Sequence, residues 1–179
     1  MRKLLSQLNS RLMIIHFIAF WFFIYAFQTL AFLHDYSFLY LGQDSITQDN
    51  LPARFDRDME LIRQAGNIGL LVAYIISWSI STKRDWFWLN SVIIFLLAFA
   101  LKNLGWLGWK YLDHIFMAPA KLFIEHSVWG YLTSGLIMIA IGSLLFFSKR
   151  IIRYIDAHPS TVKKVKTNKK VGRKTVVKS

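Results

Sequence analysis

Residues 12–33 read LMIIHFIAFWFFIYAFQTLAFL and carry no formally charged side chain. At ~1.5 Å per residue, a helix of this run is long enough to cross a hydrocarbon core of ~30 Å. The run is too long for the apolar core of a signal peptide, and no small-residue cleavage pattern follows it. It therefore predicts a retained membrane-spanning helix, which decides the class of fold.

Three further apolar runs follow and predict three further spans. One centres on residues 66–81 and reaches spanning length only with Leu61 and Ile62. Another is bracketed by Trp86 and Trp106, as expected when aromatic belts mark both interfaces of a spanning helix. We predict an all-α integral membrane bundle of four transmembrane helices, at about 12–33, 62–81, 86–106 and 127–147, within a transmembrane domain at 12–156.

The composition agrees with a membrane protein and excludes several kinds of chemistry. Hydrophobic residues make up 55% of the chain and aromatic residues 16%, more than a soluble domain of this size usually carries. Cysteine is absent, which excludes disulfides, thiolate metal sites and thiol catalysis. A lone histidine within a span cannot supply both axial ligands of a b-type haem, so we expect no cofactor and no metal.

The formal charge of +12 is concentrated at one end of the chain. Residues 149–179 hold 11 of the 22 basic residues and one acidic residue, whereas the other 148 residues hold 11 basic and nine acidic ones. No aromatic residue follows Tyr154, so the stacking surfaces that single-stranded nucleic-acid binders use are missing and we expect no specific nucleic acid. We predict a disordered basic tail at 157–179.

Two interpretations of this tail remain open. It can act only as a topology determinant, or it can contact anionic lipid headgroups, since each Lys or Arg near such a surface contributes ~1 kcal/mol. The predicted lipid-contacting residues are Lys163, Lys164, Lys166, Lys169, Lys170, Arg173 and Lys174.

The distribution of basic residues also predicts the orientation. With residues 1–11 and the tail on the cytoplasmic side, the flanks hold 16 Lys and Arg inside and five outside. Residues 149–179 supply 11 of the 16. We expect a multi-pass protein with both termini cytoplasmic, most simply in a bacterial inner membrane.

The polar stretch between the first two spans is expected to contain a separate amphipathic helix. Pro52 suits the first turn of a helix, and Leu51, Phe55, Met59 and Ile62 then share one face. This extracytoplasmic helix is predicted to lie on the bilayer surface or against its neighbours.

Small residues predict where helices approach closely, because association in lipid depends on close backbone contact. They recur every four residues in the second span and at related spacings in the fourth. These two spans are therefore predicted to form the centre of the bundle, whereas the first, rich in bulky aromatic residues, is expected to meet lipid or a partner. The predicted packing residues are Gly69, Ala73, Ser77, Gly130, Ser134, Gly135 and Gly142.

Three histidine–acid neighbours fall at the predicted outer boundary of the membrane. They are His34 with Asp35, Asp113 with His114, and Glu125 with His126. Histidine and carboxylate groups ligate metals and transfer protons, so their convergence would form a catalytic or transport site. The alternative is that polar side chains merely solvate the helix ends, since no defined spacing motif is present.

Three polar residues interrupt the spans. His16 and Gln28 are expected to hydrogen-bond between helices. Lys102 carries the only formal charge within a span, and we favour extension of its ammonium to the interface over a functional role.

The sequence lacks the common hydrolase, metalloprotease and phosphate-binding motifs. We expect a non-enzymatic scaffold or accessory subunit of a membrane complex, with a membrane-protein partner or a second copy of itself. The alternative is a membrane enzyme or transporter whose site is built from the histidine–acid neighbours.

Overall fold

The computed structural model describes residues 7–34, 51–104 and 128–157. Every regular element in these residues is an α-helix, which confirms the all-α prediction. The helices are α1 (Ser10–Ala31), α2 (Leu51–Lys83), α3 (Leu89–Asn103), α4 (Val128–Phe147) and α5 (Lys149–Asp156).

Helix length and apolar composition support a membrane protein. The spans that qualify are Ser10–Ala31, Asp56–Lys83 and Val128–Asp156, which unites α4 with α5. Helix α3 is apolar but has 15 residues, about 22 Å at 1.5 Å per residue, which is less than a hydrocarbon core of ~30 Å. Three of the four predicted spans therefore have sufficient length within the described residues.

The predicted amphipathic segment is not a separate element. Helix α2 begins at Leu51, with Pro52 in its first turn, and continues to Lys83 as one helix of 33 residues. The segment that was expected to lie apart is thus the first part of the helix that contains the second span.

Helix α1 forms the centre of the bundle and contacts α2, α3 and α4. The expectation that the second and fourth spans form this centre is wrong, because α2 and α4 meet at few points and each packs mainly on α1. The buried apolar side chains of α1 are Leu12, Ala19, Phe20, Trp21, Phe23, Ile24, Tyr25 and Ala26.

The glycines of α2 and α4 accommodate the bulk of α1. A Cβ atom on Gly69 would lie 2.5 Å from the carbonyl oxygen of Phe23, and one on Gly142 would lie 2.8 Å from the ring of the same residue. A Cβ on Gly135 would lie 2.6 Å from Leu30. Small residues therefore do mark close contacts here, but each contact is made with α1.

Helix α5 packs against one end of the bundle as a short amphipathic helix. Ser148, with an extended backbone, separates it from α4. Ile152 and Ile155 are buried, whereas Lys149, Arg150 and Arg153 are exposed. The guanidinium of Arg11 lies 4.8 Å from the ring centroid of Tyr154, so α5 also contacts the first turn of α1.

Candidate functional site

The described helices contain two polar clusters that each draw on three helices, and the first joins α1, α2 and α3. We call it the histidine cluster: His16, Ser77, Ser81 and Ser91. His16 Nδ1 is 2.8 Å from Ser77 Oγ, which is 2.9 Å from Ser91 Oγ, and Ser81 Oγ is 3.1 Å from Ser91 Oγ. All four side chains are buried, so these hydrogen bonds connect three helices within the apolar interior.

Apart from its contact with Ser77, His16 is surrounded by aromatic rings. The other ring nitrogen, Nε2, is buried and has no hydrogen-bond partner in the described residues. The imidazole packs edge-on against Phe146, with ring centroids 4.9 Å apart, and its centroid is 6.0 Å from that of Trp86. A serine–histidine nucleophile needs an orienting group and access for a substrate, and the described residues around His16 supply neither.

The histidine cluster confirms that His16 is an interhelical hydrogen-bond partner. Ser77 and Ser81 are one turn apart on α2, so both hydroxyls reach Ser91 in the first turn of α3. The sequence predicts Ser77 as a packing residue, and nothing in it marks Ser81 or Ser91 as polar partners of His16. The sequence shows only that serines occur within apolar runs. A serine in such a run can be a small packing residue or a hydrogen-bonding residue, and the sequence does not distinguish the two roles.

The second cluster, which we call the lysine cluster, consists of Lys102, Asn67 and Gln28 around Gly66. Lys102 Nζ donates to the carbonyl oxygen of Arg63 over 3.0 Å and to Asn67 Oδ1. A Cβ on Gly66 would lie 2.9 Å from Lys102 Cε and 3.0 Å from Gln28 Nε2. The missing side chain of Gly66 therefore lets the lysine and glutamine side chains meet against the backbone of α2.

The ammonium of Lys102 is buried without a carboxylate partner in the described residues. Its residue is 6% exposed, so the side chain packs on α2 rather than extending away from the protein, whichever depth in the membrane it occupies. The nearby Glu60 is engaged elsewhere, because its two carboxylate oxygens accept from the Arg63 guanidinium at 2.6 Å each. Glu60, Arg63 and Lys102 together carry one net positive charge.

The two clusters lie at different levels of the bundle. His16 precedes Gln28 by 12 residues, Asn67 precedes Ser77 by ten, and Ser91 precedes Lys102 by 11, which at 1.5 Å per residue separates the levels by about 15–18 Å. The buried side chains between them are Ala19, Phe20, Phe23, Ile24, Ala26, Leu70, Ala73, Ile94, Ala98 and Met138, together with Trp21 and Tyr25, which each carry one polar atom. The described helices thus contain a predominantly apolar layer between two polar levels.

The histidine–acid neighbours fall almost entirely outside the described residues. His34 is exposed in the turn after α1, while Asp35, Asp113, His114, Glu125 and His126 lie beyond the described ranges, so their convergence stays a prediction. Within the ranges that the structure describes, no three His, Cys, Asp or Glu side chains are grouped to hold a metal ion. The tail residues from Lys163 to Lys174 also lie outside them.

All seven predicted packing residues are buried, in α2 or in α4. Gly69, Gly135 and Gly142 face α1, and Ser77 hydrogen-bonds to it. These four positions therefore lie where α2 and α4 pack on α1.

Comparison with known proteins identifies no matching family model, no matching curated protein and no matching solved structure. Function must therefore be inferred from the residues and their arrangement.

Proposed function

We propose that this chain is a non-enzymatic scaffold or accessory subunit of a membrane complex. The observation that carries the proposal is the apolar layer between the histidine cluster and the lysine cluster. Transport pathways are lined by polar or ionisable groups through the membrane, whereas the polar groups here bond helix to helix. This arrangement suits a rigid bundle that acts by binding other proteins through its outer surface.

The outer surface offers apolar area to lipid or to a partner helix. Exposed apolar side chains occur on all three helices that surround α1: Ile68, Leu71 and Ile75 on α2, Leu96, Leu97 and Phe99 on α3, and Leu136, Leu144 and Phe147 on α4. Because α1 supplies the core, these faces are available for assembly without disturbing the interior. They are the surfaces on which we place a membrane-protein partner or a second copy.

We further propose four spans with both termini cytoplasmic, in a bacterial inner membrane. Helix α3 would be the third span and needs about five more residues to reach the ~20 that a crossing requires. The basic face of α5 and the tail after it would then adjoin anionic headgroups on the cytoplasmic side. The large Lys and Arg excess after residue 148 supports this placement.

Site-specific photo-crosslinking in native membranes tests the scaffold role. A photoreactive residue at Leu71, Leu97 or Leu144 samples one exposed face each, and Met138, fully buried, serves as the control position. We expect at least one exposed position to give a discrete protein adduct, and Met138 to give none. If all three exposed positions yield only lipid adducts and monomer, the scaffold proposal is wrong.

A further inference from the structure

The lysine cluster has an unfilled capacity to bind an anion. An ammonium group has three N–H donors, and Lys102 uses two of them on neutral oxygens, those of Arg63 and Asn67. Its charge has no carboxylate partner in the described residues. A buried charge is stable only when it is paired or fully hydrogen-bonded, and within the described residues this cluster has no counter-ion.

The position of the lysine cluster relative to the membrane indicates which anion is available to it. Arg63 precedes Lys83, the last residue of α2, by 20 residues, or about 30 Å along the helix, the thickness of a hydrocarbon core. Lys83 and Arg84 are exposed and mark one boundary. The Lys102 ammonium, which bonds the Arg63 carbonyl, therefore lies at the opposite boundary, at the level of the phospholipid headgroups.

We propose that the lysine cluster binds the phosphate of a phospholipid. Lys102 supplies the charge and its remaining donor, and the amide of Gln28, beside the ammonium across Gly66, is placed to donate as well. Phosphate oxygens accept such charge-assisted bonds strongly.

The local charge and surface also suit a phospholipid. The ion pair of Arg63 with Glu60 is partly exposed and adjoins the cluster, which leaves one uncompensated positive charge for one phosphodiester. Ile68 and Leu71 on α2 are exposed on the membrane side of Asn67, where acyl chains would lie. The site requires only that the helices cross a membrane, and it is independent of the scaffold role.

The test uses the full-length protein, delipidated in a maltoside detergent. Thermal unfolding is followed during titration with short-chain phosphatidylcholine, with diacylglycerol of the same chains, and with inorganic phosphate. Phosphatidylcholine has no net charge, so attraction to the basic tail contributes little. We expect saturable stabilisation by phosphatidylcholine and markedly less by either of the other two.

Two substitutions locate the binding. Lys102→Met removes the charge and should weaken the apparent affinity for phosphatidylcholine about tenfold or more, as expected for the loss of a charged hydrogen bond. Lys83→Met removes an exposed lysine at the other end of the same bundle and should leave the affinity unchanged. Lys102→Arg, which keeps the charge, should retain the preference for phosphatidylcholine over diacylglycerol.

Several outcomes would overturn the proposal. Equal stabilisation of the unsubstituted protein by diacylglycerol would show that acyl chains alone bind, and this comparison holds even if Lys102→Met fails to fold. Equal stabilisation by inorganic phosphate would show a site for soluble anions. Unchanged affinity in a folded Lys102→Met protein would place the lipid elsewhere.

Discussion

Trp86 donates its indole N–H to the carboxylate of Asp156 over 2.8 Å, which ties the turn between α2 and α3 to the last residue of α5. The same carboxylate is 3.5 Å from the Arg84 guanidinium. The ring of Trp86 also faces His16. One tryptophan therefore links the short terminal helix to the histidine cluster.

Replacing Asp156 should loosen α5. Asp156→Ala removes the acceptor of the Trp86 hydrogen bond and should lower the free energy of unfolding by about 1 kcal/mol. The ion pair with Arg84 should add little, because both side chains are partly exposed. Thermal or chemical unfolding in detergent measures the change, and Asp56→Ala, an exposed carboxylate in α2, is the control.

The partner substitution checks that this contact is responsible. Trp86→Phe keeps an aromatic ring but removes the N–H donor, so its effect and that of Asp156→Ala should overlap in the double variant. Fully additive losses would show that the two residues act separately.

A methyl group on Gly69 should force α1 and α2 apart. The new Cβ would meet the carbonyl oxygen of Phe23 at 2.5 Å, and backbone cannot rotate away. We expect Gly69→Ala to cost about 1–3 kcal/mol, the range for overpacking, and Gly69→Leu or Ala73→Leu to disrupt the bundle. Thermal unfolding in detergent provides the measurement.

Gly135→Ala is the matched comparison for Gly69→Ala. Its Cβ would meet Cγ and Cδ2 of the Leu30 side chain at 2.6 Å, and this side chain, unlike a backbone carbonyl, can change rotamer. A smaller loss at Gly135 than at Gly69 is expected. Equal losses, or unchanged stability at both positions, would mean that the nearby α1 backbone does not determine which side chain position 69 tolerates.

Removing one hydroxyl should reveal the contribution of the histidine cluster. Ser77→Ala leaves His16 and Ser91 without their shared partner, and interhelical bonds of this kind contribute about 0.6–2 kcal/mol. Ser79→Ala, two residues along the same helix and exposed, should have little effect. Equal unfolding midpoints for the two variants would argue against a stabilising network.

The class of fold could be predicted from hydropathy, but the centre of the bundle could not. An apolar run of spanning length is visible without knowledge of its neighbours. Small residues such as Gly69 and Gly142 indicate that another helix packs closely at these positions, yet they do not identify which helix it is. In this chain both face Phe23, whose backbone carbonyl lies against Gly69 and whose ring lies against Gly142.

In each polar cluster, one residue could be predicted from the sequence and its partners could not. Lys102 and His16 stand out because a charge or an imidazole in an apolar run is conspicuous. Their partners, Asn67 and Ser77, come from α2 and are 35 and 61 residues away in sequence. Which of several small polar residues faces them depends on the rotation of α2 about its axis, and that rotation follows from packing against α1.

Reporter fusions test the proposed topology and the status of α3. Fusions after residues 48 and 179 should report outside and inside respectively, since the basic tail favours the cytoplasm. A fusion after residue 110 should report outside if α3 and the residues after it complete a crossing. An inside signal at 110 would leave three spans, with the termini on opposite sides, and would remove the four-span proposal.

The basic tail should bind membranes by charge alone. A peptide covering residues 160–179 has eight basic residues and no aromatic one, and each basic residue contributes ~1 kcal/mol near an anionic surface. It should bind liposomes that contain anionic lipid and dissociate as salt shortens the Debye length from ~8 Å at physiological strength. Cosedimentation with neutral liposomes is the control, and we expect no binding there because hydrophobic anchors are absent. Binding that is insensitive to salt, or equal on neutral liposomes, would show that the tail recognises its target by means other than charge.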